Sequence, residues 1–175
     1  MGTCQVTILV TSDVHGHVLP LNYGTNQPEA SGLAKIATLI KREKALNENL
    51  LIVDNGDSIQ GTPLTYHYAK FQPLEPNPMM QIFNHLDYDA AIIGNHEFNY
   101  GLGLLEQAVR ESRFPWLSAN IVDSKTDEPH FGTPYIIKTF ANGLRVGLLG
   151  LTTPYIPNWE KPDHIRGLRF DDAGI

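Results

Sequence analysis

The sequence predicts a layered α/β fold with a mixed, largely parallel sheet. Short apolar runs rich in β-branched residues alternate with longer helical patterns along the 175 residues, which is typical of strands and helices that alternate in a parallel sheet. Three of these runs end in polar clusters, as expected at one edge of such a sheet. An Asn-Gly dipeptide between two later apolar runs predicts a hairpin, which would make the sheet mixed.

The first half of the chain is predicted to contain two strands and three helices. Residues 5–11 (QVTILVT) are apolar and uncharged, which predicts a buried strand. A helix is predicted over residues 29–47, because Leu33, Ile36 and Ile40 form an apolar stripe. The other predicted elements are a strand at Leu50–Val53, a helix at 62–70, and a helix at Met79–Leu86 with Pro78 in its first turn.

The second half is predicted to continue the alternation and then to form the hairpin. A strand at Ala90–Ile93, a helix at Leu102–Ser112 and a strand at Trp116–Ala119 follow one another. The hairpin strands are Tyr135–Phe140 and Leu144–Leu151, joined by Asn142-Gly143. Both turn residues tolerate the positive φ of a type I′ turn, so the hairpin is a strong local prediction.

Composition narrows the classes of function. The net charge is −6 and no block of Lys or Arg stands out, so a phosphate substrate would have to be held by something other than general positive charge. Bound metal ions would serve, and the acidic balance fits a metal site better than a groove for a nucleic-acid polymer. The single cysteine, Cys4, excludes an internal disulfide and a zinc–thiolate cluster.

Localisation is predicted from the start of the sequence. The apolar stretch after Met1 has no charged region before it and runs directly into Asp13, so it is interpreted as a strand and not as a signal peptide. No apolar run approaches the ~18 residues that a membrane span needs. The chain as it stands is therefore expected in the cytoplasm, or in the periplasm, cell wall or exterior if an export signal has been removed. The oligomeric state stays open.

Polar residues after three predicted strands carry the candidate chemistry. They are Asp13 and His15, then Asp57, then Asn95 and His96. Because the carboxyl ends of parallel strands meet at one edge, these side chains are expected to converge. A carboxylate can bridge two divalent cations, while imidazole and amide groups complete the shells without adding charge. Two such ions can activate a water and hold both the attacking and the leaving oxygen of an in-line displacement.

Each cluster alone has a simpler explanation. Asp13 can cap a helix or form a turn, Asn-Gly-Asp at 55–57 is a turn sequence, and Asn95-His96 fits a turn with a satisfied histidine. Their joint occurrence, each after an apolar strand, is what favours a site. Glu97 can then orient a ligand from behind, or cap the segment that follows it.

The three clusters, in this order, resemble the calcineurin-like metallophosphoesterase signature. The carrying motifs are Asp-x-His at 13–15, Gly-Asp at 56–57 with Gly61 four residues on, and Gly-Asn-His-Glu at 94–97. The run 94–101 (GNHEFNYG) looks most like the 5′-nucleotidase and 2′,3′-cyclic nucleotide phosphodiesterase branch, as do 13–17 (DVHGH), 54–63 (DNGDSIQGTP) and 117–120 (LSAN).

That resemblance implies a layered α/β/β/α sandwich and a role for each candidate residue. Asp13 and His15 would bind a first metal, Asp57 would bridge both metals, and Asn95 would bind the second. His96 would stabilise the transition state or protonate the leaving group. Two divalent ions are implied, with Mn, Zn, Fe, Co and Mg all compatible, and the implied substrates are nucleotide phosphoesters hydrolysed by a metal-activated hydroxide.

The sequence departs from the family pattern in two places. Further His ligands are implied downstream, in a lone His and a Gly-His-x-His segment, but His130 and His164 lie in other contexts and are predicted to be surface residues. Residues 1–175 are therefore interpreted as the N-terminal part of a catalytic domain, without its remainder and without the family's C-terminal domain. In addition, Asn99 stands where many 5′-nucleotidases have an Asp, which favours the cyclic phosphodiesterase side.

Two other functions stay open on the sequence alone. A non-catalytic module that binds a metal or a protein is favoured by the incomplete ligand set. Another metal hydrolase, such as an amidohydrolase, is less favoured because the usual His-x-His opening of that group is absent.

Overall fold

A computed structural model describes residues 3–173 of the chain. Its strands are β1 Thr7–Thr11, β2 Leu21–Asn22, β3 Gln27–Pro28, β4 Leu50–Asp54, β5 Ala90–Ile92, β6 Trp116–Leu117, β7 Ile121–Asp123, β8 Tyr135–Thr139, β9 Arg145–Leu149 and β10 Leu168–Phe170. Its helices are α1 Leu33–Leu46, α2 Pro63–Phe71, α3 Pro78–His85, α4 Leu102–Glu111 and the short α5 Ile156–Trp159, with 3-10 turns at His96–Phe98 and Pro162–His164.

The main sheet is parallel and has the order β1-β4-β5-β6. The predicted hairpin forms from β8 and β9, but it makes a separate two-stranded antiparallel sheet and does not extend the main one. A single parallel bridge between Leu117 and Thr133 ties the chain just before β8 to the edge of the main sheet. The α/β class is confirmed, and the antiparallel part lies mostly outside the parallel sheet.

Alternate residues of the main sheet face two different layers. Ile52 and Trp116 belong to a large core with the helices, which includes Leu33, Met79 and Leu105. Residues on the opposite face of the sheet form a second core with the inner face of the hairpin: Leu51, Val53, Ala90, Leu117 and Phe140, with Ile136, Val146 and Leu148 packed against them. Helices, parallel sheet and hairpin therefore stack as three layers, which are three of the four layers of the expected α/β/β/α sandwich.

Strand β1 was predicted to be buried, but only one of its faces is covered. Ile8 and Val10 are 49% and 60% exposed, although their register partners Leu51 and Val53 are buried. The hairpin covers the central strands and leaves this edge of the sheet open. Because β1 carries no charged residue on its open face, its sequence does not reveal that this face is exposed.

Helix α1 begins at Leu33, four residues later than predicted. Gly32 takes φ 86° at the N-cap, a conformation that favours glycine. An added Cβ there would approach the carbonyl oxygen of Val18 to 2.8 Å. Residues before Gly32 form the small β2–β3 ribbon instead. Within residues 3–173, no helix has the length and the apolar character needed to cross a membrane.

Candidate metal centre

The loops after β1 and β4 are joined by backbone hydrogen bonds. The N–H groups of Asp13, His15 and Gly16 donate to the carbonyl oxygens of Gly56, Asp57 and Ser58, at 3.0, 2.8 and 2.9 Å. The two loops run together beyond the sheet edge as a continuous extension of the β1–β4 pairing. The first two predicted clusters are therefore brought side by side by main-chain contacts.

Three of the predicted ligands have a left-handed backbone. Asp13, His15 and Asp57 have φ values of 54°, 49° and 60°. Non-glycine residues rarely adopt this conformation, and strained residues of this kind concentrate at functional sites. The backbone hydrogen bonds between the paired loops hold all three residues in place.

Three of the five side chains that were predicted to converge form a cluster. His15, Asp57 and His96 each present a ligand atom within 4.8 Å of the other two, and they are the one such group of His, Cys, Asp or Glu among residues 3–173. The rings of His15 and His96 meet edge to face with centroids 5.0 Å apart. Asp13 lies at the rim, with one carboxylate oxygen 3.9 Å from Nε2 of His15. Asn95 borders a groove on the His96 side.

The donor set fits a divalent cation. Nδ1 of His15 is 3.1 Å from the carbonyl oxygen of Gln60, and a carbonyl can only accept, so this nitrogen carries the proton and Nε2 is left free as a ligand. A carboxylate and neutral imidazoles without thiolates suit Mn, Fe, Zn and similar ions. The half-buried positions of His15, Asp57 and His96 leave the site open to solvent on one side.

Glu97 ties the loop after β5 to the loop after β4. Its carboxylate accepts hydrogen bonds from the N–H groups of Asp57 at 2.8 Å, Ser58 at 2.7 Å and Gly94 at 2.8 Å. Of the two roles considered for Glu97, orienting the site from behind is the one that the contacts support. Burial raises the pKa of Glu97 to about 7, while the N–H donors at both oxygens favour its ionised form.

A second buried carboxylate, Asp54, lies beneath the loop after β4. It accepts hydrogen bonds from the hydroxyl of Thr11 at 2.6 Å, the N–H of Gly56 at 3.1 Å and the hydroxyl of Ser58. Burial raises the pKa of Asp54 to about 6 against these stabilising donors. The sequence alone could not distinguish support of the metal loop by Asp54 from simple turn formation, because both place an Asp at the end of a strand.

Gly94 allows the third loop to approach closely. A Cβ at this position would lie 2.8 Å from the backbone nitrogen of Asp57, closer than such atoms approach in proteins. The same closeness lets the N–H of His96 donate to a carboxylate oxygen of Asp57 at 2.8 Å. A side chain at residue 94 would separate the loops that carry the candidate ligands.

His96 contacts Asn99, the position already singled out in the sequence, and Asn99 has a further partner that no sequence motif indicated. Its Nδ1 is 2.7 Å from Oδ1 of Asn99, and Nδ2 of Asn99 donates to Glu160 at 2.6 Å. Glu160 also accepts from Nδ1 of His164 at 2.9 Å, so His164, predicted to be a surface residue, is partly buried and paired. His130 is likewise partly buried, between Glu106 and Asp123.

Comparison with known proteins agrees with this geometry. The family model described as calcineurin-like phosphoesterase matches residues 6–172. The chain belongs to the calcineurin-like phosphoesterase family. The three clusters predicted as a family signature thus lie inside the matched region.

Relatives within the family carry names of nucleotide phosphoester hydrolases. A 2′,3′-cyclic-nucleotide 2′-phosphodiesterase/3′-nucleotidase of Salmonella typhimurium is 38% identical over 171 residues, covering 91% of this chain and 26% of that protein. The trifunctional nucleotide phosphoesterase protein YfkN of Bacillus subtilis is 37% identical, covering 90% of this chain and 12% of that protein. The chain thus spans about a quarter or less of these curated relatives.

Solved structures of the family share the fold. The calcineurin-like phosphoesterase YfkN from Bacillus subtilis matches with a TM-score of 0.86 and 36% identity, over 96% of this chain and 54% of that one. A putative 5′-nucleotidase from Staphylococcus aureus matches with a TM-score of 0.86 and 34% identity, over 96% and 32%. These similarities confirm the layered α/β architecture.

Proposed function

We propose that this phosphoesterase chain is part of an enzyme that hydrolyses nucleotide phosphoesters, either 2′,3′-cyclic nucleotides or nucleoside monophosphates or both. The observation that carries the proposal is the meeting of His15, Asp57 and His96 within 4.8 Å at the ends of parallel strands. Family membership and the names of the relatives support the same reaction class.

The proposed site holds two divalent ions, with Mn, Zn, Fe, Co or Mg as candidates. Asp13 and His15 would hold one ion, Asn95 the other, and Asp57 would lie between them. When bound, such ions supply a water nucleophile that ionises near neutral pH and neutralise charge on the phosphate oxygens. Glu97 supports this arrangement by fixing the backbone of the loops on which Asp57 and Asn95 lie.

His96 is proposed to act at the leaving oxygen of the substrate. Its Nδ1 is engaged by Asn99, so Nε2 faces the substrate, and once the imidazole is protonated Nε2 is the nitrogen that donates a hydrogen bond or a proton to the leaving oxygen. The hydrogen bond from its N–H to Asp57 fixes the position of His96 relative to the proposed bridging carboxylate. The partly buried ring lies at a groove of about 380 Å³, which can admit part of a nucleotide.

The rest of the ligand shell is proposed to come from chain that follows these residues in the whole protein. His130 is engaged by Glu106 and Asp123, and His164 by Glu160. Neither histidine belongs to the group formed by His15, Asp57 and His96. Residues 1–175 would then be the N-terminal part of the catalytic domain, and a separate C-terminal domain would complete the nucleotide site.

The substrate proposal favours cyclic nucleotides over strict 5′-nucleotidase activity. Asn99 accepts from His96 without carrying charge, so the direct carboxylate partner implied for many 5′-nucleotidases is absent. A relative of Yersinia enterocolitica, 36% identical, is also named as a 2′,3′-cyclic-nucleotide 2′-phosphodiesterase/3′-nucleotidase.

A non-catalytic module that binds a metal or a protein is the second candidate. The observation that favours it is the size of the clustered group, since three converging side chains suffice to bind an ion but leave its shell incomplete.

Hydrolysis assays distinguish these candidates. Bis-p-nitrophenyl phosphate and 2′,3′-cyclic AMP are supplied with Mn²⁺ to this chain, to an Asn95→Ala/His96→Ala variant and to a longer chain of the same protein. Activity in this chain that the double variant loses supports the enzyme proposal. Activity found only in the longer chain supports it too, and indicates that the chain beyond residue 175 supplies essential ligands. Silence in both chains would overturn the enzyme proposal and favour the binding module.

A further inference from the structure

We propose that Glu160 is a positioning residue for His96, acting through Asn99 and supplying at one remove the negative charge that a carboxylate bonded directly to the imidazole would supply. The inference rests on the proposed function for its effect on turnover. Its effect on the imidazole itself can be measured without turnover.

A continuous chain of side-chain hydrogen bonds connects the two residues. Nδ1 of His96 lies 2.7 Å from Oδ1 of Asn99, and Nδ2 of Asn99 donates to Oε2 of Glu160 at 2.6 Å. Both distances lie in the range of strong hydrogen bonds. His96, Asn99 and Glu160 also border the same groove, so the chain of bonds lies beside the proposed leaving-group site.

The chemistry of the three groups fixes the direction of each bond. An ionised carboxylate can only accept, so Asn99 must turn its amide NH₂ toward Glu160 and its oxygen toward His96. The oxygen can only accept, so Nδ1 of His96 must be the protonated nitrogen. The neutral imidazole is thereby held in one tautomer, with Nε2 free toward the groove.

Glu160 is held firmly enough to impose that direction. Its side chain is only 8% exposed. Its other oxygen accepts from the backbone N–H of Lys161 at 2.8 Å and from Nδ1 of His164 at 2.9 Å. Although burial alone would raise the pKa of Glu160, the donors from Lys161, Asn99 and His164 hold it below its usual value. The carboxylate is therefore ionised at neutral pH.

A purely structural role would make a different prediction. Glu160 could serve only to hold the turn from Lys161 to His164, in which case its loss would loosen that turn and leave the imidazole of His96 unchanged. The tautomer of His96 separates the two roles, because it depends on the orientation of Asn99 and not on the turn.

The test uses this chain labelled with ¹⁵N-histidine, free of metal, at pH 8. Long-range ¹H–¹⁵N spectra report which ring nitrogen carries the proton, and the His96 signals are identified by their loss in His96→Gln. We expect a single Nδ1–H tautomer in the natural sequence. Glu160→Gln should give mixed tautomers, because a glutamine can either donate or accept and no longer fixes Asn99.

Two further variants supply the control and the rescue. His164→Gln removes a different partner of Glu160 from the same turn, so the His96 tautomer is expected to stay unchanged. Asn99→Asp/Glu160→Gln exchanges the positions of charge and amide while keeping every hydrogen bond, so it should restore the Nδ1–H tautomer. The backbone amide spectrum of Glu160→Gln shows whether that variant folds. If it does not fold, the double variant Asn99→Asp/Glu160→Gln is measured alone, and mixed tautomers of His96 in it would overturn the proposal.

In a longer, metal-loaded chain, Glu160→Gln should lower kcat by about tenfold or more with KM within about twofold, and the double variant should recover most of the loss. An unchanged His96 tautomer in Glu160→Gln, or an unchanged kcat in an active enzyme, would overturn the inference. If no chain is active but the tautomers respond as expected, the link from Glu160 to His96 stands and the proposed function fails.

Discussion

Glu97 joins two of the three loops by contacts that only a carboxylate can make. Three backbone N–H groups point at its two oxygens, and the side chain is fully buried. Glu97→Gln would place an NH₂ group against at least one of these donors and leave it unsatisfied. We expect a loss of roughly 1–3 kcal/mol in the free energy of unfolding in urea without metal.

The matched control for this prediction is Glu48→Gln, at an exposed glutamate after α1. Its effect should stay within about 0.5 kcal/mol, as is usual for surface substitutions. Equal effects of the two variants would show that Glu97 does not clamp the loops.

Asp54 gives the stability of the fold a definite pH dependence. Burial raises its pKa from 3.8 to about 6, so between these values the folded state holds more protons than the unfolded state. The free energy of unfolding must then fall as pH rises through this window, by about 3 kcal/mol from this residue. Asp54→Asn should remove that component.

The measurement is urea unfolding of the natural sequence and of Asp54→Asn from pH 4 to pH 7 with EDTA present. Other groups contribute to both curves, so the difference between them reports Asp54. Parallel curves would contradict the assigned burial cost.

At the scale of elements, the loop after β5 can approach the loop after β4 only because residue 94 is a glycine. Gly94→Ala would push its Cβ against the backbone of Asp57, and we expect both lower stability and weaker Mn²⁺ binding, by about tenfold. Gly103→Ala is the control, because that glycine lies in the first turn of α4 with nothing within 4 Å of an added Cβ.

The control should have the opposite sign. Alanine inside a helix is favoured over glycine, so Gly103→Ala should raise the free energy of unfolding by roughly 0.5–1 kcal/mol and leave Mn²⁺ affinity unchanged. For both variants, the free energy of unfolding is measured in urea and the Mn²⁺ affinity by calorimetry. Unaltered binding in Gly94→Ala would show that the loops do not need this approach.

Sequence reasoning succeeded for elements wherever local patterns decide the outcome. Strand ends place Asp13, Asp57 and His96, and the Asn-Gly turn places the hairpin, because periodicity and turn chemistry are local. It failed where contacts between distant residues decide. Glu160 lies 61 residues from Asn99, and no motif marks that contact. The late start of α1 likewise depends on the conformation of Gly32 against the chain around Val18.

For the whole molecule, the order of layers could be predicted but not their extent. Val53 and Val10 are register partners on one face of the sheet, yet Val53 is 4% and Val10 60% exposed. Apolar composition alone cannot separate them, since the difference arises from how far the hairpin reaches across the sheet. The outer face of the hairpin is also open in residues 3–173, with Tyr135, Ile137 and Leu149 at least half exposed.

Calorimetric titration of the metal-free chain with Mn²⁺ tests the central claim, that the three loops form a metal centre. We expect saturable binding that Asp57→Asn weakens by at least about tenfold. Asp163→Asn, at a carboxylate that is 79% exposed, should leave the affinity unchanged. An absence of binding in the natural sequence, or equal affinities for the natural sequence and Asp57→Asn, would contradict the account.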